Sequence, residues 1–127
     1  PLKAFTFDAT NSPDLFPALA ALAAAAEGVS TIIGTSRLSH KESDRAETLR
    51  QEYEKLGIEI DISQEDVMTI RGGKIKPATV FSHGDHRIAM SLAVSALRCD
   101  GEVVIEQAEC VEKSYPTFFE DLESIIE

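Results

Sequence analysis

Apolar and polar positions change their period several times along the chain, and each change predicts an element. Lys3–Phe7 alternates as a strand does, and the polar DATNSPD that follows is dense in turn and cap formers. The run LFPALAALAAAAEG is apolar on nearly every side of a helix, which predicts a buried one. Asp14 is placed to cap it. Pro17 then falls at its third position, where the missing N–H forfeits no intrahelical bond, and Gly28 closes it. VSTIIG is a short β-branched strand. Ala46, Leu49, Tyr53 and Leu56 lie on one stripe and predict an amphipathic helix opened by Lys41, Glu42 and Arg45 and ended by Gly57. IEIDI and VMTIRGG read as strands, the second closed by a glycine turn, and ATVF as another. A helix over Ile88–Arg98, the strand EVVIE and a last amphipathic helix in YPTFFEDLESII complete the series.

Laid out this way, the elements repeat. One unit runs Asp14, Ala-rich helix, Gly28, VSTIIG, loop, Lys41, helix. The other runs Asp85, Ala-rich helix, Gly101, EVVIE, loop, Lys113, helix. Positions 14 and 41 are 27 apart, and positions 85 and 113 are 28 apart. Units of this kind are not a solenoid signature. They imply a pseudo-symmetric α/β domain in which mixed sheets cover helices.

Composition narrows the field. A chain of 127 residues makes at most one ordinary domain, and its 43% hydrophobic and 27% charged residues are those of a soluble globular protein. The longest apolar run, Leu15–Ala26, is too short to span a bilayer. A net charge of −10 argues against nucleic acid and anionic membrane as partners, but a local basic cluster can still hold a small anion. Cys99 and Cys110 form no zinc or CxxC pattern, which suits two reduced thiols in a cytoplasmic protein. No signal peptide is legible, and PLKAFTF opens without Met as if in mid-strand, as expected of a piece of a longer chain or of a processed one.

The charged groups at element ends are the candidates for chemistry. Helix mouths offer backbone N–H groups to anions. Arg45 and Arg87 could grip a carboxylate in a bidentate fork, while Lys41 and Lys113 would meet a phosphate as point charges. Each has a plainer reading. Asp14 and Asp85 are also good N-caps, and Ser39 with Glu42 fits a capping box. Arg45 could pair with Glu42 one turn back, and Arg87 with Asp85. His86 could be a packed or surface histidine, and Lys113 a solvated lysine. His86 and Arg87 are nonetheless poor first-turn residues beside the positive end of a helix dipole, unless an anion compensates them.

The motifs GDHRIAM, HKESDR and KSYPTFFEDL, in the order in which they stand around PDLFPALAALAAAAEG, resemble the C-terminal part of the 5-enolpyruvylshikimate-3-phosphate synthases, the 3-phosphoshikimate 1-carboxyvinyltransferases. The resemblance covers essentially the whole chain. The sister UDP-N-acetylglucosamine enolpyruvyl transferases share the fold but lack the DHR-Ala-Met run. The resemblance implies an inside-out α/β architecture of βαβαββ repeats, helices within and sheets outside. Residues 1–78 would form about one repeat and 79–127 a partial second, with the opposite lobe, in the missing N-terminal part, absent from this chain.

The resemblance also implies a reaction: transfer of the enolpyruvyl group of phosphoenolpyruvate to the 5-hydroxyl of shikimate 3-phosphate, by addition and then elimination of phosphate. This is a step of chorismate and aromatic amino acid biosynthesis, with no cofactor and no metal. By motif, Asp14 matches the aspartate that holds and deprotonates the hydroxyl, Glu42 the glutamate that moves the proton at the methylene carbon, and Lys41 its neighbour near the hydroxyl. Arg45 and Arg87 match the pair on the phosphoenolpyruvate carboxylate, with His86 beside them. Lys113 matches the lysine that meets departing phosphate, and Asp85 supports His86 or Arg87 from behind. Arg37 stands where some relatives have an asparagine touching the shikimate moiety, and His40 where many have valine. A non-catalytic anion-binding domain of the same fold is the alternative, and the presence of Asp14, Lys41, Glu42, Arg45, Arg87 and Lys113 together speaks against it.

Overall fold

Two βαβ crossovers organise the chain in the computed structural model, which describes residues 2–38, 44–113 and 115–125, apart from the side chains at 112, 113, 119 and 125. In the first, β1 (Thr6–Asp8) leads through α1 (Phe16–Ala25) to β2 (Val29–Ile33), and the two strands pair in parallel. In the second, β5 (Ala78–Phe81) leads through α3 (His86–Ala96) to β6 (Val103–Glu106), again in parallel. Between them lie α2 (Arg45–Lys55), β3 (Glu59–Asp61) and β4 (Val67–Arg71), and α4 (Phe118–Ile125) ends the described chain. The four-stranded sheet has the order β1-β2-β4-β3, with β4 antiparallel to both neighbours.

The core forms where the period-two faces of the sheet meet the helices. Ile32 stands opposite Met68, and Ile60 opposite Ile70, all four buried. Onto them pack Phe16, Ala20 and Ala24 of α1, Leu49 and Tyr53 of α2, and Ile88 and Leu92 of α3. The small side chains of α1 let it approach both the sheet and α3 closely. At the far end of α1, Gly73 donates its N–H to the Ala24 carbonyl, which satisfies one of the helix's last acceptors. That turn passes so near the helix that a Cβ on Gly72 would lie 1.7 Å from the Ala26 oxygen, so only glycine fits.

A buried polar network ties the three inner helices together. The Tyr53 hydroxyl is hydrogen bonded with Ser91 Oγ at 2.8 Å and Ser95 Oγ at 2.7 Å, and Ser91 Oγ donates to the Pro17 carbonyl at 2.7 Å. Burial pushes the Tyr53 hydroxyl pKa up, so it stays a neutral phenol.

Several boundaries differ from the sequence reading. Pro13 opens a 3-10 turn over Pro13–Leu15, so α1 starts at Phe16 with Pro17 at its second position, and Asp14 sits inside the turn rather than capping the helix. The helix is not enclosed on every side, since Leu22 is 50% exposed. The N-cap of α2 is Asp44, which accepts from the Glu47 N–H, so the helix opens at Arg45. Ser39, His40, Lys41 and Glu42 lie outside the described residues, and so does the capping box. Helix α3 starts two residues early because Asp85 caps it, and it tightens into i→i−3 bonds after Ala96. The chain around Lys113 is a 3-10 turn, Ala108–Lys113, packed on α3, and the last helix waits until Phe118, beyond Pro116.

Candidate functional site

Arg45 is the first residue of α2, and its side chain lies beneath the surface at 1% exposure. Nε donates to Asp85 Oδ2 at 2.8 Å and Nη2 to Asp85 Oδ1 at 3.1 Å, a bidentate fork. Nη1 donates to Asp14 Oδ1 at 3.0 Å. One guanidinium thus joins the mouths of α1 and α3, across 31 and 40 positions of sequence. Asp85 is fully buried and carries a second duty: its Oδ1 accepts from the Arg87 N–H at 3.1 Å and the Ile88 N–H at 3.5 Å. A buried carboxylate and guanidinium offset each other's desolvation only when the geometry is this complete.

Asp14 is different. Its side chain is 52% exposed. With Arg87, Met90 and Ser91 it borders a groove of about 350 Å³ between α1 and α3. Arg87 is half-buried in the first turn of α3, where the helix dipole disfavours a cation and favours an anion beside it. Among the described residues its side chain has no ion pair; only its backbone N–H meets Asp85. His86 shares that turn, also half-buried. A second hollow, on the outer face of the four-stranded sheet, is lined by Arg50 and Arg71, which already meet Glu47 and Glu54, and Glu59, respectively.

The structure therefore brings Asp14, Arg45, Asp85 and Arg87 together. His86 lies next in the chain, and the Lys113 backbone is in the turn packed on α3. The local pairing of Arg45 with Glu42 lies outside the described residues. Sequence reasoning missed Glu52. It is buried, with its carboxylate on Lys55, His83 and the Phe81 N–H. Burial pushes its pKa up, but those three hydrogen bonds more than reverse this and hold it below the ordinary 4.5. The available signal was its place on the stripe of Leu49, Tyr53 and Leu56, where a glutamate is out of pattern.

Two parallel βαβ units with helices packed on sheets fit an inside-out α/β domain of the enolpyruvyl transferase class. The solved enolpyruvyl transferase NikO of Streptomyces tendae shares this fold with a TM-score of 0.73 at 24% identity, over 98% of this chain and 28% of its own. A solved EPSP synthase of Acinetobacter baumannii matches with a TM-score of 0.76 at 39% identity, over 83% of this chain and 25% of its own. The family model of EPSP synthase (3-phosphoshikimate 1-carboxyvinyltransferase) matches residues 1–122, and the chain belongs to that family. The 3-phosphoshikimate 1-carboxyvinyltransferase of Methanocella arvoryzae is 45% identical over 121 residues, 95% of this chain. That of Clostridium acetobutylicum is 46% identical over 119 residues, 93% of this chain. The chain spans 28% of the length of both relatives. No helix among the described residues is long and apolar enough to cross a membrane.

Proposed function

We propose that this chain is the C-terminal part of a cytoplasmic enzyme that transfers the enolpyruvyl group of phosphoenolpyruvate to the 5-hydroxyl of shikimate 3-phosphate and releases phosphate. The observation that carries the reading is the single buried Arg45 guanidinium, which links Asp14 to Asp85 and so sets Asp14 and Arg87 on one groove. The chain is then about one repeat over 1–78 and a partial second over 79–127, and the opposite lobe supplies the rest of the site.

In addition, the substrate hydroxyl oxygen bonds to the central carbon of phosphoenolpyruvate, while the methylene carbon gains a proton. In elimination, that carbon loses a proton and phosphate leaves. Asp14 is the base for the hydroxyl, and Glu42, with Lys41 beside it, moves the proton at carbon. Arg87 and Arg45 hold the carboxylate, His86 flanks them, and Lys113 meets the departing phosphate. Asp85 acts from behind, fixing Arg45 by its fork and the first turn of α3 by its cap. Arg45 Nη1 already engages Asp14, so an arriving carboxylate competes for that contact. The competition would loosen Asp14 at the moment it must accept the hydroxyl proton.

Phosphate release by the full-length natural enzyme is the test. The intact protein should turn over shikimate 3-phosphate and phosphoenolpyruvate. The 127-residue chain should not, because two multiply charged anions need cations from both lobes and a site closed to water. Arg87→Ala in the intact protein should slow turnover severely with an unchanged circular dichroism spectrum. Full activity of that variant, or of the isolated chain, would overturn the assignment.

A further inference from the structure

We propose that Glu52 is a positioning residue for the carboxylate clamp: with His83 it fixes the loop that delivers Asp85, His86 and Arg87. The inference rests on the functional reading above and adds to it a residue with no place in the site by motif. Glu52 stands seven residues after Arg45, two helical turns along the same face of α2. Both side chains are buried and both reach the same loop. Arg45 grips it at Asp85, and Glu52 grips it at Phe81 and His83. Glu52 Oε1 accepts the Phe81 N–H at 2.8 Å, and Oε2 meets His83 Nε2 at 2.9 Å. Lys55 Nζ, at 2.8 and 3.1 Å from the two oxygens, supplies the neutralising charge.

The loop needs such a grip. His83 and Gly84 are both left-handed, with φ of 58° and 70°. Residues other than glycine are uncommon there, histidine being one of the better tolerated, and a side-chain bond to a buried carboxylate holds this one in place. The two residues swing the chain round so that the Asp85 N–H returns to the Ser82 carbonyl at 3.0 Å, and α3 starts at once. Ser82 is anchored from the other side, by its N–H on the Glu106 carbonyl and its Oγ on the Gln107 carbonyl. The strand β6 side fixes Ser82, while α2 fixes the residues flanking it. The direction of the first turn of α3, and with it Arg87, follows from this two-sided hold.

Amide hydrogen exchange and a phosphoenolpyruvate titration of the full-length enzyme, both read by NMR, test the inference. Glu52→Gln should speed exchange at the Arg87 and Ile88 amides by about tenfold, the scale of one charged hydrogen bond, while Leu92 and Ala93 in mid-helix stay as they are. Phosphoenolpyruvate should bind about tenfold more weakly to that variant, and to His83→Ala. His83→Asn, which tolerates left-handed backbone but is too short to reach Glu52, should show the same loss, and full recovery in it would mean that backbone strain rather than the bond to Glu52 sets the loop. If Glu52→Gln does not fold, the two His83 variants carry the same comparison from the solvent-facing end of the pair. Unchanged exchange at Arg87 and Ile88, or faster exchange spread evenly over α3 and the sheet, overturns the proposal. No phosphoenolpyruvate binding by the unaltered full-length enzyme strikes the functional reading instead, and the exchange pattern then still decides whether Glu52 fixes the loop.

Discussion

Asp14 and Asp85 occupy equivalent places in the two units, each just ahead of an Ala-rich helix, yet the fold treats them oppositely. Asp85 is fully buried, caps α3 and takes two nitrogens of Arg45. Asp14 is half exposed, does not cap α1 and takes the remaining nitrogen. The cause is local. Pro13 inserts a 3-10 turn before α1, which carries Asp14 off the helix axis and toward the groove. Gly84 lets the chain turn directly into α3, which leaves Asp85 on the axis. A repeated motif can therefore hold one copy inside the structure and leave the other facing the groove.

Acid acts on many carboxylates at once and has the largest effect on this contrast. Glu52 is buried and has a folded-state pKa below its ordinary 4.5. Its stabilisation is therefore complete above that value and is lost as pH falls through the lower folded value. Asp61 and Asp66 add the same sign below 3.8, held down by hydrogen bonds from Ser63 and Ser36. Far-UV circular dichroism should stay constant from neutrality to about pH 5 and collapse only below Glu52's ordinary value. Unfolding that begins near pH 6 would contradict it.

Among substitutions, Asp85→Ala should be the most damaging. It strands the buried Arg45 charge and removes the α3 cap together, a loss of about 3–5 kcal/mol in urea unfolding. A loss under about 1 kcal/mol, the level of an exposed ion pair, would mean the two aspartates are alike after all. Tyr53→Phe should come next, at about 1–3 kcal/mol, because Ser95 Oγ loses its buried partner. Asp14→Asn should fall within about 1 kcal/mol of the unaltered chain. In the full-length enzyme the same change should lower turnover about 10²–10⁴-fold, as expected of a lost general base. A stable, fully active Asp14→Asn protein would remove the functional half of the contrast.

Much of this was legible in the residue pattern, for reasons that are local. Strand β2 and helix α2 follow from β-branched runs and a clean apolar stripe, and Asp85 as a cap follows from its neighbours alone. Asp14 was misread because a proline one residue earlier changes the turn type, and a period of 3.6 does not register that shift. The clamp itself was hidden. Arg45 finds its partners 31 and 40 positions away, and from its neighbours it looks like one end of an i,i+3 pair. Glu52 sits three residues before Lys55 and looks like a solvated surface pair, while its decisive contacts lie with Phe81 and His83. Such contacts depend on how the two units dock, which no short window of sequence contains.

The bond from Ser91 to the Pro17 carbonyl has a consequence for the order in which this fold can assemble on a ribosome. It spans 74 residues, and the Tyr53 hydroxyl that completes the network waits on the same serine. At a synthesis rate of about 5–20 residues per second, the inner wall of α1 stays unmatched for roughly 4–15 s after Pro17 is made. Throughout that interval a stretch of nearly continuous alanine and leucine is exposed while its partner helix is still being translated. The Ala-rich segment, so quiet in the finished structure, is the part of the nascent chain that most needs shielding.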